Sequence, residues 1–306
     1  MAIAERYPGV YAAMATPITR DGEVDPAGIK QVVDYLFDNG VTGLSILGST
    51  GEGPSLIPAQ RRQALDATLE ASGGRGPVFT GAASSAVAEV IDDLKAIAGA
   101  GAHGALVPPP YYFRIDAAAI VGYYRRVAEA SRVPLILYNI PGLTKLQLPV
   151  QAVAELAEHP NIMGLKDSGG DFGYFAALAR LVAGAEGFTL YTGSDELLAA
   201  ALFVGGHGLI GGAVNVVPDV LAAIYRAYLS GDHARAVSLG GAVARANAAV
   251  RVGTFPAPIK GQYALKGLCE RYTAAPVPPL TEAEMEQLRR QLTEAGVLRS
   301  PVAAGA

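Results

Sequence analysis

Short apolar runs alternate along the chain with longer amphipathic segments, a pattern typical of parallel strands joined by helices. Several amphipathic segments open with Asp, Ser or Pro, as capped helices do, among them Asp25–Asn39, Pro58–Ser72, Ser84–Ala100, Asp116–Ser131 and Pro149–Glu158. The predicted strands are Val10–Ile18, Gly43–Leu47, Val78–Thr80, Ala105–Val107, Pro134–Tyr138, Ile162–Lys166, Thr189–Tyr191 and Gly208–Ile210. Eight such units fill residues 10 to about 230, so the fold class is predicted as α/β, a (β/α)8 TIM barrel.

A glycine signature recurs where predicted helices end and strands begin. Gly40, Gly101 and Gly205 stand at helix ends, as C-cap glycines do, and a second glycine opens each following strand. His103 and His207 occupy matching places in two of these junctions, at the N-terminal ends of strands. Because that end of a barrel faces away from the chemistry, we expect both histidines to be structural.

Further helical patterns follow the eighth unit, without a Pro/Ser/Gly-rich linker. They cover Asp232–Val252, Pro258–Cys269 and Thr281–Ala295. We therefore expect a catalytic barrel over residues 1–230 and additional C-terminal helices, within residues 231–306, packed on it. Cys269, the single cysteine, excludes an internal disulfide and is expected to be a small core residue of a helix.

Composition narrows the class of partner. A net charge of −4 and the absence of dense Lys/Arg runs offer no electrostatic footprint for nucleic acid. The N-terminal residues carry charges and no apolar core, so no secretory signal is expected. Leu197–Val217 is poor in charge but interrupted by glycines, which favours a buried helix and strand over a membrane span. These features predict a cytoplasmic protein that binds neither nucleic acid nor membrane.

Lys166 closes the apolar run Asn161–Ser168, where a buried strand gives way to Asp-Ser-Gly-Gly. Burying an ammonium is costly, and desolvation favours the neutral amine, which is a nucleophile. The hypothesis is that Lys166 forms a Schiff base with a keto acid. The alternative is a lysine that snorkels out of a strand end.

Other polar side chains converge on the same rim, because they follow the C-terminal ends of predicted strands. The loop Gly48-Ser49-Thr50-Gly51-Glu52 offers backbone amides and hydroxyls that suit a carboxylate, although an ordinary glycine turn looks the same. Tyr138 could relay protons beside an amine, or could be a core tyrosine. Asp195 and Glu196 are either charges at a helix N-terminus or readers of substrate hydroxyls.

Three ordered motifs carry a resemblance to a known family. Gly48–Glu52, Tyr138-Asn139-Ile140-Pro141 and Gly164-Leu165-Lys166-Asp167 resemble the dihydrodipicolinate synthase / N-acetylneuraminate lyase family of class I aldolases. The resemblance spans nearly the whole chain, including Thr16-Pro17 and the Pro-x-Pro-x-Lys element Pro256–Lys260.

The resemblance implies a homotetramer of barrels in which pyruvate binds to Lys166 as an imine, with no metal or other cofactor. It places the pyruvate carboxylate against Gly48, Ser49 and Thr50, with Tyr138 transferring protons through the hydroxyls of Ser49 and Thr50. It also implies a tyrosine from a neighbouring subunit in that relay. Tyr112 matches this place best, and Tyr111 is the adjacent alternative.

Two departures from the family bear on the aldehyde partner. Leu143 stands where the resemblance to dihydrodipicolinate synthases implies a carboxylate-binding arginine, and a leucine cannot replace a guanidinium. Asp195-Glu196 match the sugar-binding pair of the lyases, but Gly212 replaces their serine. We therefore expect an aldolase acting on a 2-keto-3-deoxy sugar acid or an N-acetylneuraminate-like substrate. The alternatives are dihydrodipicolinate synthase, a keto-deoxy sugar acid dehydratase and a keto-acid-binding sensor.

Overall fold

Eight parallel strands close into a barrel in the computed structural model, which describes residues 7–299. Each strand pairs with its neighbours in chain order, and the last pairs with the first. The strands are β1 (Gly9–Ala13), β2 (Gly43–Ile46), β3 (Val78–Gly81), β4 (Gly104–Val107), β5 (Leu135–Asn139), β6 (Ile162–Asp167), β7 (Thr189–Thr192) and β8 (Gly208–Gly211). The predicted (β/α)8 barrel is confirmed, with every predicted strand in place.

Helices surround the barrel and continue after it. Those of the βα units are α1 (Pro26–Asp38), α2 (Pro58–Ser72), α3 (Val87–Ala100), α4 (Ala117–Ala130), α5 (Pro141–Thr144), α6 (Val150–Leu156), α7 (Phe172–Val182), α8 (Leu198–Phe203) and α9 (Pro218–Leu229). The C-terminal helices are α10 (His233–Ser238), α11 (Gly240–Ala249), α12 (Ala257–Leu265) and α13 (Glu282–Glu294). Asp25, Asp116 and Asp171 cap α1, α4 and α7 by accepting a backbone N–H.

The first strand is shorter than the predicted Val10–Ile18, because its apolar run continues into a buried loop at the barrel mouth. There Asn215 replaces the missing sheet partner: its Nδ2 donates to the Ala13 carbonyl at 2.8 Å, and its Oδ1 accepts from the Ala15 amide at 3.4 Å. A buried backbone needs such partners, so burial alone did not distinguish this loop from a strand.

Two predictions about the C-terminal region are wrong in detail. The helix predicted over Asp232–Val252 is split into α10 and α11 at Leu239, just before Gly240. Cys269 lies in the turn after α12 and not in a helix. It is half-buried against the main apolar core, and burial raises the pKa of its thiol to about 12.

The predicted glycine caps and structural histidines are confirmed. Gly40, Gly101 and Gly205 all have positive φ, at 84°, 88° and 98°. Nδ1 of His103 accepts from the Val78 amide at 3.2 Å, and Nδ1 of His207 accepts from the Leu190 amide at 3.0 Å. Each histidine therefore holds the N-terminal end of the preceding strand.

Aromatic side chains fill the lower half of the barrel interior. Tyr11, Phe79 and Tyr191 are fully buried there, with ring centroids 4.9 to 6.4 Å apart, and the Tyr11 hydroxyl donates to the carbonyl of Tyr7. This layer closes the N-terminal side of the interior and leaves the opening at the C-terminal ends of the strands. Within residues 7–299, no helix has the length and apolar character needed to span a membrane.

Candidate active site

Lys166 lies near the C-terminal end of β6, inside the barrel. Its register partners on the two neighbouring strands are Tyr138 on β5 and Tyr191 on β7. The side chain is only 5% exposed, and Nζ lies 4.4 Å from the centroid of the Tyr138 ring. The structure thus places the amine at the mouth of the barrel and does not let it snorkel into solvent.

The Tyr138 phenol connects Lys166 to the loop after β2. Its hydroxyl lies 3.3 Å from Oγ of Ser49. Burial alone raises the pKa of Tyr138, but the positive charge of Lys166, the hydrogen bond with Ser49 and the polar groups of Ser168 and Lys166 lower it below its ordinary value. A phenol with a lowered pKa beside an amine is suited to exchange protons with it.

Ser168 joins this group, although the sequence analysis assigned it no role. It follows Lys166 by two residues, so its place after the strand end was the available signal. The Gly193 backbone packs against it, since a Cβ at Gly193 would lie 2.0 Å from Ser168 Oγ and 3.0 Å from Lys166 Cε. A larger residue at 193 would therefore displace both side chains.

The loop after β2 has a strained backbone. Leu47 and Glu52 both have left-handed φ angles, at 56° and 57°, which cost free energy in residues other than glycine. The loop closes tightly because residue 53 is glycine: a Cβ there would lie 1.9 Å from the Leu47 carbonyl oxygen. This turn holds Ser49 half-buried and Thr50 buried at the barrel mouth.

A buried ion pair fixes the end of the same loop. Nζ of Lys260, in α12, lies 2.6 Å from Oε1 of Glu52, and both side chains are at most 2% exposed. Glu52 also accepts the Ala274 amide at 2.6 Å, and Lys260 donates to the Tyr272 carbonyl at 2.8 Å. The structure thereby joins two motifs that are about 200 residues apart in the chain.

A second buried network fixes the ends of β5 and β6. Nδ2 of Asn139 donates to Oδ1 of Asp167 at 2.7 Å, and its Oδ1 accepts from the Leu148 amide at 3.0 Å. Burial raises the pKa of Asp167, while the hydrogen bond from Asn139 opposes this. Because Asn139 and Asp167 directly follow Tyr138 and Lys166, their contact holds these two residues in register.

A largely apolar cavity of about 230 Å³ adjoins Ser49 and Tyr138. Leu143 lines it and is 62% exposed. Because its side chain is apolar, this position offers no positive charge to a substrate carboxylate. Tyr111 also lines the cavity, whereas Tyr112 projects outward and is 81% exposed. Within one chain, Tyr111 therefore faces the cavity and Tyr112 faces solvent.

On the other side of the mouth, Asp195 and Gly212 line a cleft of about 340 Å³. Oδ1 of Asp195 accepts from the Ala213 amide at 3.1 Å, and burial raises the pKa of this carboxyl to about 6. A Cβ at Gly212 would still lie 4.0 Å from Asp195 Oδ2, so space remains above the glycine. Glu196 is exposed and is held by Asn247, whose Nδ2 donates to Oε1 at 3.1 Å. The predicted acidic pair is therefore divided: Asp195 lines the cleft and Glu196 contacts α11.

The arrangement offers an amine and a phenol at the barrel mouth, with the phenol at the cavity and the Asp195 carboxylate at the cleft on the other side. Among the residues that the structure describes, no group of three or more His, Cys, Asp or Glu is placed to hold a metal ion. An amine and a phenol in contact can form and hydrolyse an imine of a ketone, since each step needs one nucleophile and proton transfer.

Comparisons with known proteins agree on one family. The model of the dihydrodipicolinate synthetase family matches residues 6–295. A 4-hydroxy-tetrahydrodipicolinate synthase from Methanosarcina barkeri is 31% identical over 292 residues, covering 95% of this chain and 99% of that protein. Another from Methanoculleus marisnigri is 34% identical over 292 residues, covering 95% of this chain and 100% of that protein.

Solved structures are similar over the same span. Dihydrodipicolinate synthase from Thermotoga maritima superposes with a TM-score of 0.91 at 29% identity, covering 96% of this chain and 100% of that chain. A prophage protein of the dihydrodipicolinic acid synthase family from E. coli K12, solved in complex with pyruvate, also gives 0.91 at 30% identity, covering 95% and 99%.

Proposed function

The chain belongs to the dihydrodipicolinate synthetase family, and we propose that Lys166 captures pyruvate as an imine for carbon–carbon bond formation or cleavage. The observation that carries this proposal is the buried Lys166 amine 4.4 Å from the Tyr138 ring, whose hydroxyl lies 3.3 Å from Ser49. No resident cofactor is needed, because the imine nitrogen itself withdraws electrons from the substrate.

The proposed cycle begins with proton transfer from Lys166 to Tyr138. The free amine adds to the keto carbon of pyruvate, the carbonyl oxygen leaves as water, and an iminium remains. Tyr138 supplies the proton with which the oxygen leaves as water, and the resulting phenolate then removes a proton from the methyl group to give an enamine. Its terminal carbon attacks the aldehyde carbon, while the aldehyde oxygen takes a proton from Tyr138. Hydrolysis of the new iminium frees Lys166, and cleavage follows the same steps in reverse.

Substrate orientation is assigned to the loop after β2. We propose that the pyruvate carboxylate binds Gly48, Ser49 and Thr50, where backbone amides and hydroxyls can donate to it. Ser49 has the direct contact with Tyr138 and would link carboxylate binding to proton transfer. The protein would work as a cytoplasmic homotetramer in which Tyr112 of a neighbouring subunit, or Tyr111, completes this relay.

The names of the relatives favour aspartate semialdehyde as the aldehyde, which makes 4-hydroxy-tetrahydrodipicolinate synthase the leading activity. One observation favours a second candidate, an aldolase or dehydratase for a 2-keto-3-deoxy sugar acid. Leu143 cannot bind a carboxylate, whereas Asp195 can accept hydrogen bonds from hydroxyls. Turnover of pyruvate with aspartate semialdehyde, compared with glyceraldehyde, separates the two.

The imine is tested by treating the protein with pyruvate and borohydride and locating the adduct by peptide mass. We expect a stable adduct on Lys166, and K166A should lose turnover while keeping its melting temperature. Lys145, an exposed lysine near the cavity, provides the control variant K145A, which should still form the adduct. An unmodified Lys166 at saturating pyruvate would refute the proposed chemistry. Binding of pyruvate without turnover of any aldehyde would instead support a keto-acid sensor.

A further inference from the structure

The two openings beside Lys166 differ in chemistry. The cavity next to Ser49 has apolar walls that include Leu47, Leu106 and Ile140, and within the described chain no Asp, Glu, Lys or Arg lines it. The cleft on the β7–β8 side is lined by Asp195, Asn247 and Arg251, among others. A charged or polyhydroxylated substrate is desolvated at lower cost in the cleft than in the cavity, because polar partners are available there.

Arg251 is the cation of this cleft. It follows the last residue of α11 after Val250, its side chain is exposed, and its guanidinium has no hydrogen bond or ion pair with any residue of 7–299. Its neighbour Asn247 is already engaged by Glu196, which lies outside the cleft lining. An arginine without a protein partner is available to form a bidentate contact with a ligand carboxylate.

The cleft is adjacent to the reacting lysine. Asp195 lines it, and the backbone two residues before Asp195 packs against the Lys166 side chain. Gly193 joins them along the chain: its backbone packs against Lys166 Cε, two residues before Asp195. A substrate held on Lys166 can therefore extend into the cleft, whose volume of about 340 Å³ suits a small molecule.

We propose that Arg251 binds an anionic group at the far end of the aldehyde partner, so that the enzyme selects aldehydes that carry a carboxylate. This inference rests on the proposed function and narrows its substrate class. From the segment between α11 and α12, Arg251 would bind the carboxylate that Leu143, in α5, cannot bind. Asp195, of opposite charge in the same cleft, would accept from an ammonium or hydroxyl next to that carboxylate.

The test compares aldehydes that differ in one group. Tartronate semialdehyde and glyceraldehyde are the matched pair, because a carboxylate replaces a hydroxymethyl group. Aspartate semialdehyde is a second acid, one carbon longer, with an ammonium in place of the hydroxyl. The quantity measured is the ratio of kcat/KM for each acid to that for glyceraldehyde, with pyruvate saturating. In R251A we expect this ratio to fall about ten- to hundredfold, the range for a lost hydrogen bond to a charged group. R251K should recover part of the ratio, because lysine restores the positive charge but not the planar guanidinium that binds a carboxylate through two parallel hydrogen bonds.

Arg245 provides the control. It is exposed in α11, the helix that precedes Arg251, but it lines a different surface beside Gln291 and Glu294. R245A should leave the ratio within about twofold of wild type, as expected for a surface charge that does not contact the substrate.

Two measurements keep this inference separable from the imine chemistry. If wild type and R251A both trap pyruvate on Lys166 but show the same ratio, the role of Arg251 is refuted and the proposed function stands. If no aldehyde is turned over, the borohydride-reduced pyruvate adduct is titrated with succinate and with succinamide. Weaker binding of succinate to the R251A adduct, with succinamide unaffected, supports the inference, and equal binding of succinate to both adducts overturns it.

Discussion

Tyr138 combines deep burial with a lowered pKa, a combination that a purely structural tyrosine in this protein does not show. Burial raises the pKa of Tyr124, which is also fully enclosed and donates to the Val107 carbonyl at 3.1 Å. Tyr138 differs because Lys166 and two serine hydroxyls face its oxygen. The phenolate form is therefore stabilised where the proposed reaction needs a proton acceptor.

Y138F should lower kcat by about 10²- to 10⁴-fold, the usual contribution of a positioned general acid or base. The measurement is steady-state turnover with pyruvate and the preferred aldehyde. Y124F is the matched control: it removes the buried hydroxyl by which α4 donates to the Val107 carbonyl on β4, so it should cost about 1 to 3 kcal/mol of stability and leave kcat within about threefold. Near wild-type turnover in Y138F would exclude this phenol from proton transfer.

At the scale of elements, the ion pair between Glu52 and Lys260 connects the strained loop after β2 to α12. The pair is enclosed, and each partner has one further backbone contact. Desolvation lowers the pKa of Lys260, while the charge of Glu52 opposes this. A buried pair of this kind adds little stability over an apolar pair, but removing one partner leaves an uncompensated charge.

K260M should therefore destabilise the protein by about 3 to 5 kcal/mol, as measured by urea unfolding. The double variant E52Q/K260M should recover part of that loss, because the amide is neutral and can still accept from Ala274. K30M removes an exposed ion pair with Asp34 and should change stability by less than about 1 kcal/mol. A loss in K260M as small as that in K30M would show that the pair does not hold the loop.

The sequence was informative wherever local chemistry decides structure. Strand and helix positions, the caps at Gly40 and Gly101 and the place of Lys166 follow from apolar periodicity and from glycine. What it could not supply depends on distant parts of the chain. The contact of Glu52 with Lys260 and the presence of Arg251 in the cleft require the C-terminal helices to fold back over the barrel. The sequence also cannot show where β1 ends, because the backbone at the end of the strand bonds to Asn215, about 200 residues away.

At the scale of the whole molecule, large apolar side chains are exposed in the segment that follows β4 and at the mouth of the cavity. Tyr112 and Phe113 are 81% and 73% exposed, with their rings packed edge-to-face at 5.0 Å, and Leu143 nearby in the mouth is 62% exposed. Large exposed apolar groups that cluster at a site are typical of a contact between subunits. In the proposed assembly, Tyr112 of one chain would reach the Tyr138 relay of its neighbour.

That assembly predicts complementation between two inactive proteins. Y112F keeps its own Lys166 but lacks the donated phenol, while K166A keeps Tyr112 but cannot form the imine. After the two are unfolded together and refolded, mixed dimers contain one complete site, so statistical mixing of equal amounts should restore about one quarter of wild-type activity. Y111F in place of Y112F provides the control for the adjacent tyrosine. Activity no greater than the sum of the separate variants, in mixtures that mass measurement shows to contain both chains, would place the whole site within one subunit.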